Sequence, residues 1–450
     1  MRAISRYLVM LTVLYGPLLV KGQKVPVKYI QEGLHSNLAL KEKNVGLQKS
    51  LLALKVAKSL FLPTTWLEGQ YTLSQGGRTL DIPAGDLINP IYKTLNQLTG
   101  SNNFPTVKNV SESFLPNDFY DLRVKTTLPI INSDLKYNRR ISEQATMLQK
   151  NEVEIYKREL VRDIKVAYYQ YLQSIQAIDI YHNALVVVTQ NLRVNQSLLQ
   201  NGKGLPAYVA KAESELEKVQ SELDNARNDS RNAEAYFNFL LNRPLEDSIE
   251  FSPETAPLST PKFTDLDTPD RREELNSLAI LSKIDSLSYR MDKAYRSPKL
   301  NAFLDLGAQN FQFRVDNKSF FYLTGLQLDI PIFSGKRNLY KIDQAALDAR
   351  TVSLQRQDTR NQLQLAILVS RNAVVNAWNT YESALKQESS AGKYFRLVNL
   401  GYAQGVNSFL EFLDARTTYT NARLLSNIDH YKVLIALADY ERQTSSYQFN

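Results

Sequence analysis

The chain contains no cysteine. That excludes disulfides, thiolate metal sites, cysteine nucleophiles and a lipid-modified N-terminal cysteine. Its three histidines, His35, His182 and His430, are far apart and without ligand spacing, so neither a metal centre nor a cofactor is expected. Glycine and proline are scarce, 17 and 16 of 450 residues, too few for a collagenous or disordered chain. Beyond the first 22 residues no segment reaches about 18 consecutive apolar residues, so no transmembrane helix is expected there. A glycine-rich phosphate loop, a Gly-x-Ser-x-Gly elbow and a His-Glu-x-x-His pair are all missing, and the sequence is not expected to encode an enzyme. Blocks of like charge are missing too. The 54 basic and 46 acidic residues, net +8, are interspersed as on solvated helix faces, and no nucleic-acid partner is expected.

What is present begins with a signal-peptide pattern at 1–22. Arg2 and Arg6 form a basic start, an apolar stretch covers 7–20, and Val20 and Gly22 suit a cleavage site before Gln23. The alternative is a single membrane anchor, for which the stretch is short and interrupted by Pro17. An exported chain without a helical anchor is periplasmic, secreted, or part of an outer-membrane barrel.

The most informative feature is a duplication. Leu128-Pro129-Ile130-Ile131-Asn132-Ser133 is echoed by Ile330-Pro331-Ile332-Phe333-Ser334-Gly335, with the prolines 202 positions apart. Gly202 and Ala212 are echoed by Gly405 and Ala415 at a spacing of 203. The period is too long for a solenoid and marks a doubled half. The expected halves are 23–242 and 270–450, joined by a Pro- and Ser-rich linker at 243–269.

Each half reads as helix, two strands, a very long helix, a turn and a returning helix. In the first half a helix at about 29–61 is followed by strands at 65–73 and 120–128, a long helix at 133–202 and a return helix at 207–241. The second half has a helix at 271–297, strands at 299–311 and 320–331, a long helix at 336–403 and a return helix at 408–445. The strands alternate strictly: Tyr120, Leu122, Val124, Thr126 and Leu128 share one face, Asp121, Arg123, Lys125 and Thr127 the other. Nine to twelve residues is about the length that crosses a bilayer at barrel tilt; soluble amphipathic hairpins lying on the helices would read the same way. The first pair of strands encloses an insertion at 75–118, with a short helix expected at 86–98. Such insertions belong on the cell-surface side of a barrel.

From Ser133 to Gln200 there is neither proline nor glycine, and Ile164, Tyr171, Ile178, Leu185, Leu192 and Leu199 recur every seven residues as a coiled-coil seam. A helix of that size is roughly 100 Å long. In each half the return helix and the opening helix together match the long one, as two shorter rods stacked end to end would. Four strands cannot close a barrel, and open sheet edges are not tolerated in lipid. The strands therefore lie outside the membrane, or several protomers share one barrel; three would contribute twelve strands.

At this point the sequence resembles the TolC-like outer-membrane efflux family, over nearly the whole chain after the signal peptide. The resemblance is carried by Pro331-Ile332-Phe333-Ser334-Gly335, by the run Gly401 to Ala415 with its leading Gly-Tyr and closing Leu-Asp-Ala, and by Leu240-Leu241-Asn242-Arg243-Pro244. It implies a fold that is mainly α with β-hairpins: a homotrimer in which a twelve-stranded barrel in outer-membrane lipid continues as an α-helical barrel, a tunnel in the periplasm. It further implies an exit duct for small molecules, with a periplasmic membrane-fusion adaptor and an inner-membrane efflux pump as partners, and no bond chemistry. An exit duct for type I protein secretion is the alternative within that family, and a periplasmic coiled-coil structural protein the alternative outside it.

The resemblance also marks residues at the tunnel's periplasmic tip. Glu411 and Asp414 match acidic positions there; one helix turn apart, they share a face. Threefold symmetry would make of them a ring of six carboxylates that favours cations, while a helix N-terminus would favour the same acids without any ring. Tyr402 matches a tyrosine that ties helices together at the tip, and Asn407 stands where the family can have arginine. In the first half Tyr208 stands where aspartate is common and Lys211 is basic, so this tip is less acidic. The turns carrying Lys203, Gly204, Gln404 and Gly405 are the expected adaptor-docking hairpins, although their lysines read equally well as solvated surface.

Overall fold

The computed structural model describes residues 25–250, 258–263 and 268–449. The signal-peptide stretch and parts of the 243–269 linker lie outside the described residues. In chain order the elements are α1 (Val27–Ser36), α2 (Leu38–Ser59), β1 (Thr64–Thr72), β2 (Thr79–Ile82), α3 (Ala84–Thr99), β3 (Val110–Ser113) and β4 (Phe119–Ile131). There follow α4 (Ser133–Gln200), α5 (Pro206–Leu240), α6 (Glu273–Lys293), β5 (Lys299–Phe311), β6 (Phe320–Asp329), α7 (Arg337–Ala403) and α8 (Phe409–Thr444). The chain divides into a helical unit (residues 1–50, 144–283 and 349–450) and a strand-bearing unit (residues 51–143 and 284–348).

The strand-bearing unit holds one four-stranded antiparallel sheet in the order β1-β4-β5-β6. One strand pair comes from each half of the sequence, and they meet at β4 and β5. Register aligns Leu67, Val124, Leu306 and Tyr322 across all four strands, and likewise Gly69, Leu122, Ala308 and Phe320. That face is apolar, and its side chains are exposed in the single chain: Leu67 69%, Leu306 50%, Tyr322 75%, Leu326 66%. An apolar sheet face of this extent is not left in water. The rung ends are aromatic: Phe313 of the β5–β6 turn stacks on Tyr71 and Tyr120, at 4.9 and 5.8 Å between centroids. Among the described residues, the outer edges of β1 and β6 have no strand partner.

The insertion contains more than the helix expected at 86–98. That helix, α3, is accompanied by a hairpin of β2 and β3, four residues each and paired from Thr79↔Ser113 to Ile82↔Val110. Strands so short leave too little alternation for a sequence reading to find.

In the helical unit the opening helix is not continuous. It breaks at Asn37, whose side-chain oxygen accepts from Leu40 N at 3.0 Å and so caps α2. The same side chain donates to Leu240 O at 2.9 Å, and Ser36 Oγ donates to Leu241 O. The C-terminal end of α5 therefore abuts the α1–α2 break. In the other half, Arg272 just before α6 donates to Gln443 O at the end of α8 (3.0 Å), and Arg442 Nη2 reaches Glu274 Oε1 at 2.9 Å. Both halves thus join two shorter helices end to end, and both junctions use side chains to satisfy the terminal carbonyls of the arriving helix.

The core around the first junction is Tyr29, Tyr168 and Phe237, all under 2% exposed, with Phe237 edge-on to Tyr29 at 5.1 Å. Along α4 Ile164 and Tyr171 of the heptad line are buried, and further along the helix the buried stripe leaves that line. Nearer the turn the buried positions are Ile180, Ala184, Val188, Asn191 and Asn195, while Leu185, Leu192 and Leu199 are only half-buried. A helix of 3.6 residues per turn drifts about 20° per heptad against a strict repeat, and over five heptads that moves the seam to the next row.

Candidate functional site

The two helix hairpins, α4–α5 and α7–α8, turn in the same way. Gly202 and Gly405 have φ of +70° and +74°, the left-handed region in which glycine carries no Cβ penalty. Around each, Gly202 N donates to Leu199 O and Lys203 N to Leu198 O, as Gly405 N does to Tyr402 O and Val406 N to Gly401 O. These are two Schellman closures at equivalent positions of the two halves. The crowding beneath them is relieved in opposite ways. In the first turn Gly204 lies against the helix, where a Cβ would meet Leu199 N at 2.7 Å. At its counterpart stands Asn407, and space is made from the other side by Gly401, where a Cβ would meet Asn407 Oδ1 at 2.0 Å.

Helix α8 starts with a capping box: Ser408 Oγ accepts from Glu411 N (3.2 Å), and Glu411 Oε2 accepts from Ser408 N (2.7 Å). Asn407 Nδ2 donates to the same carboxylate at 3.3 Å. The Ser408 amide, the Asn407 amide and the Ser408 hydroxyl hold the Glu411 pKa below the ordinary glutamate value. Asp414 lies on the same exposed face, with Tyr394 Oη at 3.5 Å from its Oδ2. Glu411 therefore has a local structural role as a cap, and its charge remains exposed. Asn407 secures Glu411 within its own hairpin.

Tyr402 faces inward. Its ring lies 5.1 Å from Phe412, and its hydroxyl receives Asn195 Nδ2 at 3.3 Å from α4. Asn195 also bonds Asn191 Oδ1 at 2.9 Å, and both asparagines are at most 5% exposed. Burial raises the Tyr402 pKa, against the lowering effect of the two asparagine bonds, so the hydroxyl stays protonated. These buried asparagines were missed in the sequence. Their signal was a pair of amides four residues apart on a helix face that is otherwise apolar.

In the first hairpin Tyr208 packs on Phe409 at 5.2 Å, beside the cluster of Ala212, Val398, Phe412 and Ala415. Lys211 pairs with Glu215 at 2.9 Å, and Glu215 also binds the buried Arg416 at 2.8 Å. Desolvation would raise the Glu215 pKa, but Lys211 and Arg416 together lower it. The structure thus gathers Tyr402, Tyr208 and Asn407 around one packed turn region. It leaves Glu411 and Asp414 on an exposed face and joins Lys211 to α8 through Glu215. Lys203, Gln404 and Gly405 are exposed at the turns, next to the apolar Leu205 (55% exposed) and Val406 (81%). Among the described residues no group of His, Asp or Glu has the arrangement of a metal site.

A mainly helical chain with long hairpins and a four-stranded, apolar-faced sheet is the fold of the outer-membrane channels. It superposes on the CmeC outer membrane channel of Campylobacter jejuni with a TM-score of 0.73 at 15% identity, covering 93% of this chain and 85% of that one. The outer membrane protein VceC of Vibrio cholerae gives 0.72 at 13%, with 93% and 95% covered. The MtrE outer membrane channel of Neisseria gonorrhoeae in its open state gives 0.71 at 16%, with 93% and 88% covered. At such identities the likeness is one of fold. No curated protein sequence matches the chain. Residues 274–440 match the family model described as outer membrane efflux protein.

Proposed function

We propose that three copies of this chain close one barrel and form the exit duct of a tripartite efflux pump. The observation that carries this reading is the sheet. Its apolar face is exposed, and both its edges are unpaired among the described residues. Open edges are not stable in lipid, and three four-stranded sheets joined edge to edge make an allowed twelve-stranded barrel. The helices support association between copies. On α7, Tyr340, Leu347, Leu354 and Leu368 recur at multiples of seven and are 53–63% exposed; on α2, Leu38, Val45 and Leu52 do the same at 58–63%. A heptad seam exposed in the single chain is one half of a coiled-coil contact.

In the assembled duct the helical unit lines a periplasmic tunnel. A membrane-fusion adaptor docks on the α4–α5 and α7–α8 turns, where Lys203, Gly204, Gln404 and Gly405 sit among exposed apolar residues. An inner-membrane pump supplies the energy and chooses the cargo of small molecules. The chain itself does no bond chemistry. Glu411 and Asp414 of three protomers form a ring of six carboxylates at the tip, and the Tyr402–Asn195 bond holds the hairpins together.

The test is fractionation followed by mass measurement of the detergent-extracted protein. A trimer from the outer membrane supports the shared barrel. A soluble monomer in the periplasm contradicts it.

A further inference from the structure

The second face of the sheet has a composition unlike the first. Register aligns Trp66, Lys125, Asp305 and Leu323 across the four strands, and next to them Glu68, Arg123, Gly307 and Phe321. The Arg123 guanidinium bonds Asp121, with Nε at 3.1 Å from Oδ1, and its Nη1 lies 3.7 Å from Asp305 Oδ2. Asp121 and Asp305 are 8% and 3% exposed, and Asp305 Oδ1 is buried without a hydrogen-bond partner. Gly307 stands directly across from Arg123, where any Cβ would meet the Arg123 Cβ at 2.8 Å, so the arginine can lie over the strands. Its side chain keeps 28% of its exposure, Lys125 is half-buried and Glu68 is exposed.

Buried carboxylates are costly unless a cation stays with them. Two acids beneath one arginine are therefore a fixed array, and its cation faces outward from the sheet. The apolar face being the one turned to lipid, this face is the lumen side of the closed barrel.

We propose that Arg123 and Lys125, supported by Asp121 and Asp305, form a charge-selective band in the barrel lumen. It acts on small permeant ions independently of the acids on α8. The inference rests on the shared-barrel reading above. Threefold repetition places six cations around the lumen, with six buried carboxylates beneath them and three Glu68 side chains beside them, close enough to the permeation path to bias small ions.

The experiment measures reversal potentials of purified trimers in planar bilayers under a KCl gradient. Lys125→Gln and Arg123→Gln should each raise the K⁺/Cl⁻ permeability ratio by about twofold or more, and Asp305→Asn should lower it by a similar factor. The shifts should shrink when both chambers hold about 1 M salt, where screening acts over about 3 Å; a purely structural role would not produce that dependence. Lys125 has the simplest variant, because it takes no part in the buried ion pairs, and it decides the matter if the Arg123 or Asp305 variants do not assemble. A conducting wild type with an unchanged ratio in Lys125→Gln overturns the band and leaves the barrel standing. A wild type in the outer membrane that never conducts overturns the barrel reading, and the band with it.

Discussion

Glu411 combines two properties that a substitution can separate. Its carboxylate caps α8 and carries a charge on the face shared with Asp414. Glutamine keeps an acceptor for the Ser408 amide while removing the charge. Glu411→Gln combined with Asp414→Asn should therefore leave thermal stability nearly unchanged and weaken cation selectivity, read as a smaller reversal potential in bilayers; an unchanged potential would reject the ring. The pH dependence has a definite sign. The capping bonds depress the Glu411 pKa below its ordinary 4.5. Its charge, and the selectivity that depends on it, is thus present at neutral pH and lost only as the pH falls through that lowered value. Glu411 and Asp414 stood out in the sequence because the run from Gly401 to Ala415 resembles the tip motif of the TolC-like family, in which those positions are acidic. What each carboxylate bonds to was not legible there, since Asn407 and Ser408 compete for roles that only the turn geometry assigns. Lys211 was less legible still: its partners Glu215 and Arg416 bring together helices about 200 positions apart in the chain.

At the scale of elements, the helix ends are where stability concentrates. Ser408→Ala removes the cap of α8 and should cost about 1 kcal/mol. Gly405→Ala places a side chain at φ +74° and should cost about the same; both are measured by denaturant unfolding of the detergent-solubilised protein. The junction of α6 with α8 offers a sharper test. Desolvation pushes the Glu274 pKa up, but the bonds from Arg272 and Arg442 prevail and hold it at about 2. A depressed pKa contributes stability that is complete above about 4.5 and is lost as the pH falls toward 2. Glu274→Gln should cost about 2 kcal/mol at neutral pH and should flatten the stability profile between those values. An unchanged profile would show that the junction does not depend on this pair. The doubled order of helices and strands was readable because proline, glycine and alternation mark it. The break at Asn37 was not, because the helical pattern continues across it and the cause lies in the Leu240 and Leu241 carbonyls that arrive there.

For the whole molecule, what the single chain leaves uncovered carries as much information as what it buries. The stripe of α7 through Leu347, Leu354 and Leu368 is more than half exposed, so lysine at Leu354 and Leu368 should leave the fold of the chain intact. It should block assembly, because each buried leucine contributes about 1.5–3 kcal/mol to a contact and the contact repeats around the trimer. Light scattering in detergent would then report monomers. The four-strand arithmetic was already available in the sequence. Which strand pairs with which was not, since period-two alternation fixes faces and leaves neighbours open; the central β4–β5 pairing joins residues about 170 to 190 positions apart.

The absence of cysteine from the sequence makes the most direct measurement clean. Cysteine placed at Leu67 on the edge strand β1 is combined in turn with cysteine at Tyr322, Thr324 or Leu326 on the edge strand β6, and the chains are oxidised in intact outer membranes. These positions belong to the two free edges and are separated within one chain by β4 and β5. Closure of one barrel by three copies predicts disulfide-linked dimers and trimers on a denaturing gel for at least one pair in register. Monomers at every pair, from a protein shown to be in the outer membrane, would contradict the shared barrel.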